Sequence, residues 1–496
     1  MRYRSMSVVA LLIVLTLSTA SLASWGMYVG KNLTEDGSVI LAGYGDEPSS
    51  HYVEIVPAQT HDPDARITVG VTEAARYPGE RFEIPQVEET FGYISATYSA
   101  FAGFPAPLTN GGLNEKQVAG RDIWSPSRSE LREMTPDPQY GLNYSDLARI
   151  AMERAATAQE AIEILGALID EYGFATYGGN SHMFADPNEG WVMIQFAGGQ
   201  GLWAAERLGP DDIRVFRPGY IGDFPVDFED DPNFMASENF ISFAVEQGWY
   251  DPDSGEPFNV NAVYGTDRQS DQPGMQARAP AVVMMEDWLA ERAPYVTVKD
   301  AIEANRHPEI TRESAGYGQV AHLRSDIPAE LTVLWTTVAP PIASPLIPLN
   351  HLTEDVPVEY KKHRYLTEGE AAKFVSLDFQ GRESTEYAFY IFNRMFHLIS
   401  EHPYDFLDEV VDTYVAYEDN LMEEQQMVET IALQLLDQGE EQLARDIYTY
   451  FIMQTGENVL DLVKVLSASI EARTKIHYGI PEPADEPVIG RTDVLY

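Results

Sequence analysis

Apolar positions along this chain follow two regimes. Up to about residue 360, short apolar stretches alternate with turn residues; after it, the apolar positions recur at helical spacing over long runs. Trp25–Val29 and Ser38–Leu41 read as two strands joined at Asp36-Gly37, a strong hairpin signal, and Gly43–Pro48 reads as the loop that closes them. His51–Val56 and Phe91–Tyr98 are further strands, and Asn110–Ala119 is a turn leading into another. Tyr144–Arg154 and Ala158–Tyr172 predict amphipathic helices, carried by Leu147, Ile150 and Ala151, then by Ala161, Ile164, Leu165 and Leu168. Gly173 stops the second. His182–Ala185 and Trp191–Phe196 form a hairpin about Asp186–Gly190, and Trp203–Leu208 and Ile213–Phe216 continue the sheet. Glu238–Gln247 is a short helix, and Leu331–Val338 a buried strand ended by Pro340-Pro341. From Thr367 the pattern predicts helices at Glu386–Ile399, Tyr404–Glu424, Met427–Leu435, Gln442–Met453 and Val459–Arg473. Pro481–Tyr496 is a loose, acidic, proline-rich tail. The chain is thus an α+β body with a helical segment packed on it.

The first residues follow another logic. Arg2 and Arg4, the apolar run Val8–Leu17 and Ser21-Leu22-Ala23 make a positive, apolar and small-residue series, the pattern of an export signal cut after Ala23. The apolar run is too short to span a bilayer, which needs about 20 residues. Cleavage would leave Ser24 with a hydroxyl and a free α-amine. Such an amine has a reference pKa of about 7.7–8.0, so near neutrality it can serve as general base to its own hydroxyl. The alternative is that Ser24 is only a small residue acceptable after a cut. The expected location is periplasmic or extracellular, with no membrane insertion once the signal is gone.

Charge and composition narrow the chemistry. There are 33 Lys+Arg against 78 Asp+Glu, a net charge of −45, spread along the chain. Losing Arg2 and Arg4 with the leader makes the remainder two charges more acidic. Such a surface repels nucleic acid and anionic lipid, so neither is a partner, and the pattern suits adaptation to high salt. The chain contains no cysteine, which excludes disulfides, thiol catalysis and thiolate metal sites. Its ten histidines show no HExxH or paired-ligand spacing, and no phosphate loop or GxSxG elbow occurs. No metal and no cofactor are expected.

Ala23–Lys31, Asp36-Gly37-Ser38 and Asp46 resemble the start of the C69-type dipeptidases, a branch of the N-terminal-nucleophile hydrolases. Gly112-Leu113-Asn114-Glu115-Lys116, Gly178–Trp191, Asp231–Ser237, Glu246–Pro252, Leu323-Arg324, Pro328 and Trp335–Pro341 extend the resemblance, in order, to about residue 420. It implies a four-layer αββα fold, which the body over residues 24–360 would adopt ahead of the helical extension read over 361–480, and metal-free hydrolysis of dipeptides. The family's first mature residue is normally Cys; here Ser24 stands in that place. Tyr44 stands where the family commonly has Arg, and Pro218 near a position where related enzymes have Asn.

Ser24 is then the candidate nucleophile, and Asp46 a candidate partner of its α-amine or of the substrate's amino group. Asn114 and Asn180 are candidate oxyanion donors; as Asn close to Gly, each also suits a plain turn role. Arg312 and Tyr44 are candidate substrate contacts, Arg324 a weaker one, and His182 a sheet residue rather than a base. Three readings stay open: a dipeptidase acting on a small peptide, a hydrolase of another linear amide such as an N-acyl amino acid, and an inactive exported binding protein. The helical extension leaves a homo-oligomer open.

Overall fold

A computed structural model describes residues 24–45, 51–98, 103–105, 107–216, 221–265, 280–308, 310–311, 315–361 and 386–479. The expected leader, Asp46, Pro218, Arg312 and the tail at 481–496 lie outside the described residues.

Two antiparallel sheets form the centre of the body. The first runs in the order Ile213–Phe216, Trp25–Val29, Val39–Gly45, Tyr317–Leu323, Val333–Thr337, Ile347–Leu349. The second runs Phe234–Ala236, Trp203–Leu208, Gly190–Gln195, Asn180–Ala185, Ala119–Ile123, Gly112–Asn114, Tyr93–Tyr98, His51–Val56. Strand alternation sorts most sheet side chains into three of the four cores found among the described residues. Tyr28, Leu41, Met183, Val192, Ala321 and Leu334 meet between the sheets. Trp25, Met27, Ile40 and Ala42 face outward against Met285 and Ile302, from the helices Pro280–Ala290 and Val298–Arg306. Phe184, Trp191 and Met193 face outward from the second sheet against Leu147, Ile150 and Leu165, from the helices Tyr144–Arg154 and Ala158–Tyr172. Helix, sheet, sheet and helix are the four layers, the αββα arrangement.

Asn143 caps the helix Tyr144–Arg154 in a reciprocal capping box with Asp146, and Thr157 caps the next. Sequence alone misplaces some of the rest. The strand Val39–Gly45 runs straight through the expected loop residues Gly43, Tyr44 and Gly45. Gly43 is there because of close approach, not a turn: a Cβ on it would lie 2.0 Å from Arg121 Nη1 and 2.1 Å from the Trp25 carbonyl oxygen. The central strand Tyr317–Leu323 shows no clean alternation, since it is covered on both faces; its Gln319 amide donates across the sandwich to the Gly120 carbonyl at 3.1 Å.

After residue 386 the five expected helices merge into three, Ala388–Glu401, Pro403–Asp437 and Glu441–Tyr478. Gln425 and Gln426 continue the second without a break. Gly456 sits mid-helix because a Cβ there would lie 2.7 Å from Pro357. The long helices clamp onto the body at Arg306, whose buried guanidinium makes two bonds to Glu418, at 2.7 and 2.8 Å. Glu418 also accepts from the Leu346 amide, so each charge is paired and further bonded. Among the described residues, no helix is long and apolar enough to cross a membrane.

Candidate active site

Ser24 is buried and immediately precedes the strand Trp25–Val29. Trp25 pairs with Tyr44, which places Ser24 at the end of the sheet where Val39–Gly45 ends and Tyr317–Leu323 begins. Gly26 and Tyr28 face the second sheet, so strand alternation puts Ser24 on that inward face too. Trp25 faces out, its indole N–H donating to Asn305 at 3.0 Å.

Across the sandwich from this strand end lies Arg121, one of the largest fully buried side chains in the protein. Its guanidinium occupies space that only glycines leave: besides Gly43, a Cβ on Gly26 would lie 3.1 Å from Arg121 Nε. Nη2 donates to the carbonyls of Tyr44 at 2.7 Å and Asp122 at 3.2 Å, while Nε and Nη1 have no hydrogen-bond partner. Asp122, the next residue, points to the opposite face of its strand. One carboxylate oxygen accepts from Asn180 at 3.3 Å and the other has no partner; burial pushes its pKa up to about 7, against the opposing pull of Arg121.

From Asn180 a buried polar-aromatic chain leads back toward the first sheet. The Tyr177 hydroxyl donates to Asn180 Oδ1 at 3.2 Å, and its ring packs edge-on to Tyr144. The Tyr144 and Tyr98 hydroxyls bond each other at 2.5 Å, and Tyr98 also donates to Asn110. Tyr98 stacks on His51 at 4.7 Å, which stacks on Tyr317 at 5.5 Å, beside the end of the Ser24 sheet. A Cβ on Gly316 would overlap the His51 ring, so that glycine makes room for it.

The candidates read from sequence therefore separate. Ser24 and Asn180 share one end of the sandwich. Asn114 stands at the other end of the neighbouring strands, about 13 Å along from Ile123. It is fully occupied there: its amide donates to the carbonyls of Met152 at 3.1 Å and Ala155 at 2.8 Å, capping a helix end, and its oxygen accepts from the Lys116 and Val118 amides. Tyr44 turns away from Ser24 into the outer core, and its hydroxyl donates to the Ile310 carbonyl. It packs there, with no exposed surface to offer a substrate. Arg324 is held by Glu429 at 2.5 Å. His182 is a satisfied sheet residue, bonded to Gln195 and the Tyr144 carbonyl, and burial pushes its pKa down to about 4. Asp46 and Arg312 lie outside the described residues.

Sequence reasoning missed Arg121, Asp122 and the aromatic chain. The available signal was an adjacent Arg-Asp pair inside Ala119–Ile123, a strand of otherwise small or apolar residues. Among the described residues no group of three or more His, Asp or Glu is arranged to hold a metal ion.

A model of peptidase family C69 matches residues 23–286. A probable dipeptidase B of Streptococcus pyogenes serotype M3 is 24% identical over 389 residues, 69% of this chain and 75% of its own length. A dipeptidase of Bifidobacterium longum is 26% identical over 300 residues, 56% of this chain and 52% of its own length. Among solved structures, a mutant conjugated bile acid hydrolase from Clostridium perfringens is 9% identical, covering 66% of this chain and 92% of that one, with a TM-score of 0.33.

Proposed function

Since the chain belongs to peptidase family C69, we propose that it is an exported dipeptidase whose nucleophile is Ser24, exposed as the first residue by cleavage after Ala23. The observation that carries this reading is the position of Ser24: it opens a rigid central strand, on the inward face, opposite the buried Arg121. The names of its relatives point to dipeptides as the substrate class.

In this reading the Ser24 Oγ attacks the peptide carbonyl, and its proton passes to the Ser24 α-amine. The carbonyl π electrons move to oxygen, giving a tetrahedral oxyanion. Collapse of that species breaks the C–N bond, the α-ammonium returns the proton to the departing amine, and an acyl-Ser24 ester remains. Water, deprotonated by the same α-amine, hydrolyses the ester and regenerates the hydroxyl. The hydroxyl is a poorer leaving proton than a thiol, so a base held on the same residue matters more for Ser than for Cys.

The test is a dipeptide panel at low and high salt, with protein whose first residue is verified as Ser24. Ser24→Ala and a form retaining Ala23 are run alongside. Loss of at least about a thousandfold in kcat/KM in both controls supports the reading. Equal rates in all three, or no turnover by any of them in either salt, overturns it.

A further inference from the structure

Arg121 is a full positive charge between two sheets, with two of its three nitrogens lacking partners and with space kept for it by Gly26 and Gly43. Burying a charge this way is costly unless something is gained from it. We propose that the Arg121 guanidinium holds the Ser24 α-amine in its unprotonated, proton-accepting form near neutral pH. The inference rests on Ser24 being the mature first residue.

The geometry fixes the scale. Arg121 Nε lies beneath Gly26, two residues from Ser24, and two strand residues span about 7 Å. A positive charge at such a separation, in the partly screened interior of a protein, opposes protonation of an amine by about one pKa unit. Arginine keeps its own charge throughout, so the effect does not titrate away.

Among the described residues, the other charged groups packed near this strand leave that field standing. Arg214, on the adjoining strand, is held by Glu206; Arg306 is held by Glu418; and Glu286 accepts from the Val215 amide. Asp122 is the acid nearest in sequence, but its carboxyl faces the other side of the strand, and burial keeps it largely protonated up to about neutrality. Among the described residues the remaining titratable side chains at this end are Tyr44, which is turned into the outer core, Tyr317, His51 and, behind it, Tyr98 and Tyr144; Asp46 lies outside the described residues. Arg121 acts through the amine and is a positioning residue, not a catalytic one.

The experiment is the pH profile of kcat/KM for the parent, Arg121→Met and Arg121→Lys, together with the α-amine pKa itself. The latter is read from the pH dependence of acetic anhydride labelling of the N-terminal peptide, in the folded protein and in urea. The expected result is a folded α-amine about one unit below its urea value. Arg121→Met should move the acid limb up by about one unit, with activity at pH 6.5 down about five- to tenfold and recovered at pH 9, while Arg121→Lys should keep the parent profile. An acid limb unmoved in Arg121→Met overturns the proposal. If that variant does not fold, a parent α-amine titrating alike in folded and unfolded protein overturns it on its own. Failure of the Ser24 reading is distinct: it appears as activity surviving in Ser24→Ala, whatever Arg121 does.

Discussion

The two ends of the second sheet each carry a buried asparagine within two residues of a glycine, and from sequence the two look alike. At one end Asn114 has every polar atom engaged, two donors to helix-terminal carbonyls and two bonds accepted from a turn. At the other, Asn180 is itself bonded at both its amide and its oxygen but joins Asp122, whose second oxygen has no partner and which follows Arg121, two of whose nitrogens have none. A satisfied buried polar group stabilises a fold; a cluster left partly unsatisfied is costly, and persists where it serves chemistry. The contrast separates a structural asparagine from a candidate site within a single sheet.

Glycine substitutions give the largest expected effect. Gly43 and Gly37 both have positive φ, at +146° and +75°, and sit at opposite ends of the same strand pair. Gly43→Ala drives a methyl into Arg121 and the Trp25 carbonyl and should cost more than about 3 kcal/mol in denaturant titration. Gly37→Ala meets nothing within 4 Å and should cost only about 1 kcal/mol, the strain of its conformation. Equal costs would mean that Arg121 does not fill the space the structure gives it.

The asparagines come next. Asn114→Ala strands the groups it bonds and should destabilise by about 2–4 kcal/mol while leaving kcat/KM of the folded fraction unchanged. Asn180→Ala strands the Asp122 carboxyl and the Tyr177 hydroxyl and should cost about 1–3 kcal/mol, but unlike Asn114→Ala it should also lower kcat/KM of the folded fraction about tenfold or more. The same profile from both would erase the distinction.

Asp122→Asn is the smallest and depends on pH. The carboxyl has a pKa near 3.9 in the unfolded chain and about 7 in the folded one, so the native state binds the extra proton. Its presence therefore costs nothing below pH 4, and stability is lost as pH rises from about 4 to about 7. The amide should raise stability by about 1–3 kcal/mol at pH 8 and leave it unchanged at pH 4, measured by urea unfolding at both.

Much of the fold was legible because the local code and the tertiary code agree. His51–Val56, Tyr144–Arg154, Ala158–Tyr172 and Trp203–Leu208 occur with the bounds that periodicity predicts. The sequence misleads where burial on both sides removes alternation, as in Tyr317–Leu323, or where a glycine serves a distant side chain, as Gly43 serves Arg121. For the site, Ser24 stands out as a candidate from sequence alone, since the leader-like pattern before it is local. Arg121, Asp122 and the Tyr317–His51–Tyr98–Tyr144–Tyr177 chain were not, because residues so far apart in sequence meet only when the sheets stack.

The account stands most directly on the identity of the residue that is acylated. Active enzyme is quenched in acid during turnover of a dipeptide ester, digested, and its N-terminal peptide weighed. The expected result is a peptide that begins at Ser24 and carries the acyl group on that residue. An acyl group on any other residue, or an active enzyme whose chain still contains Ala23, would contradict it.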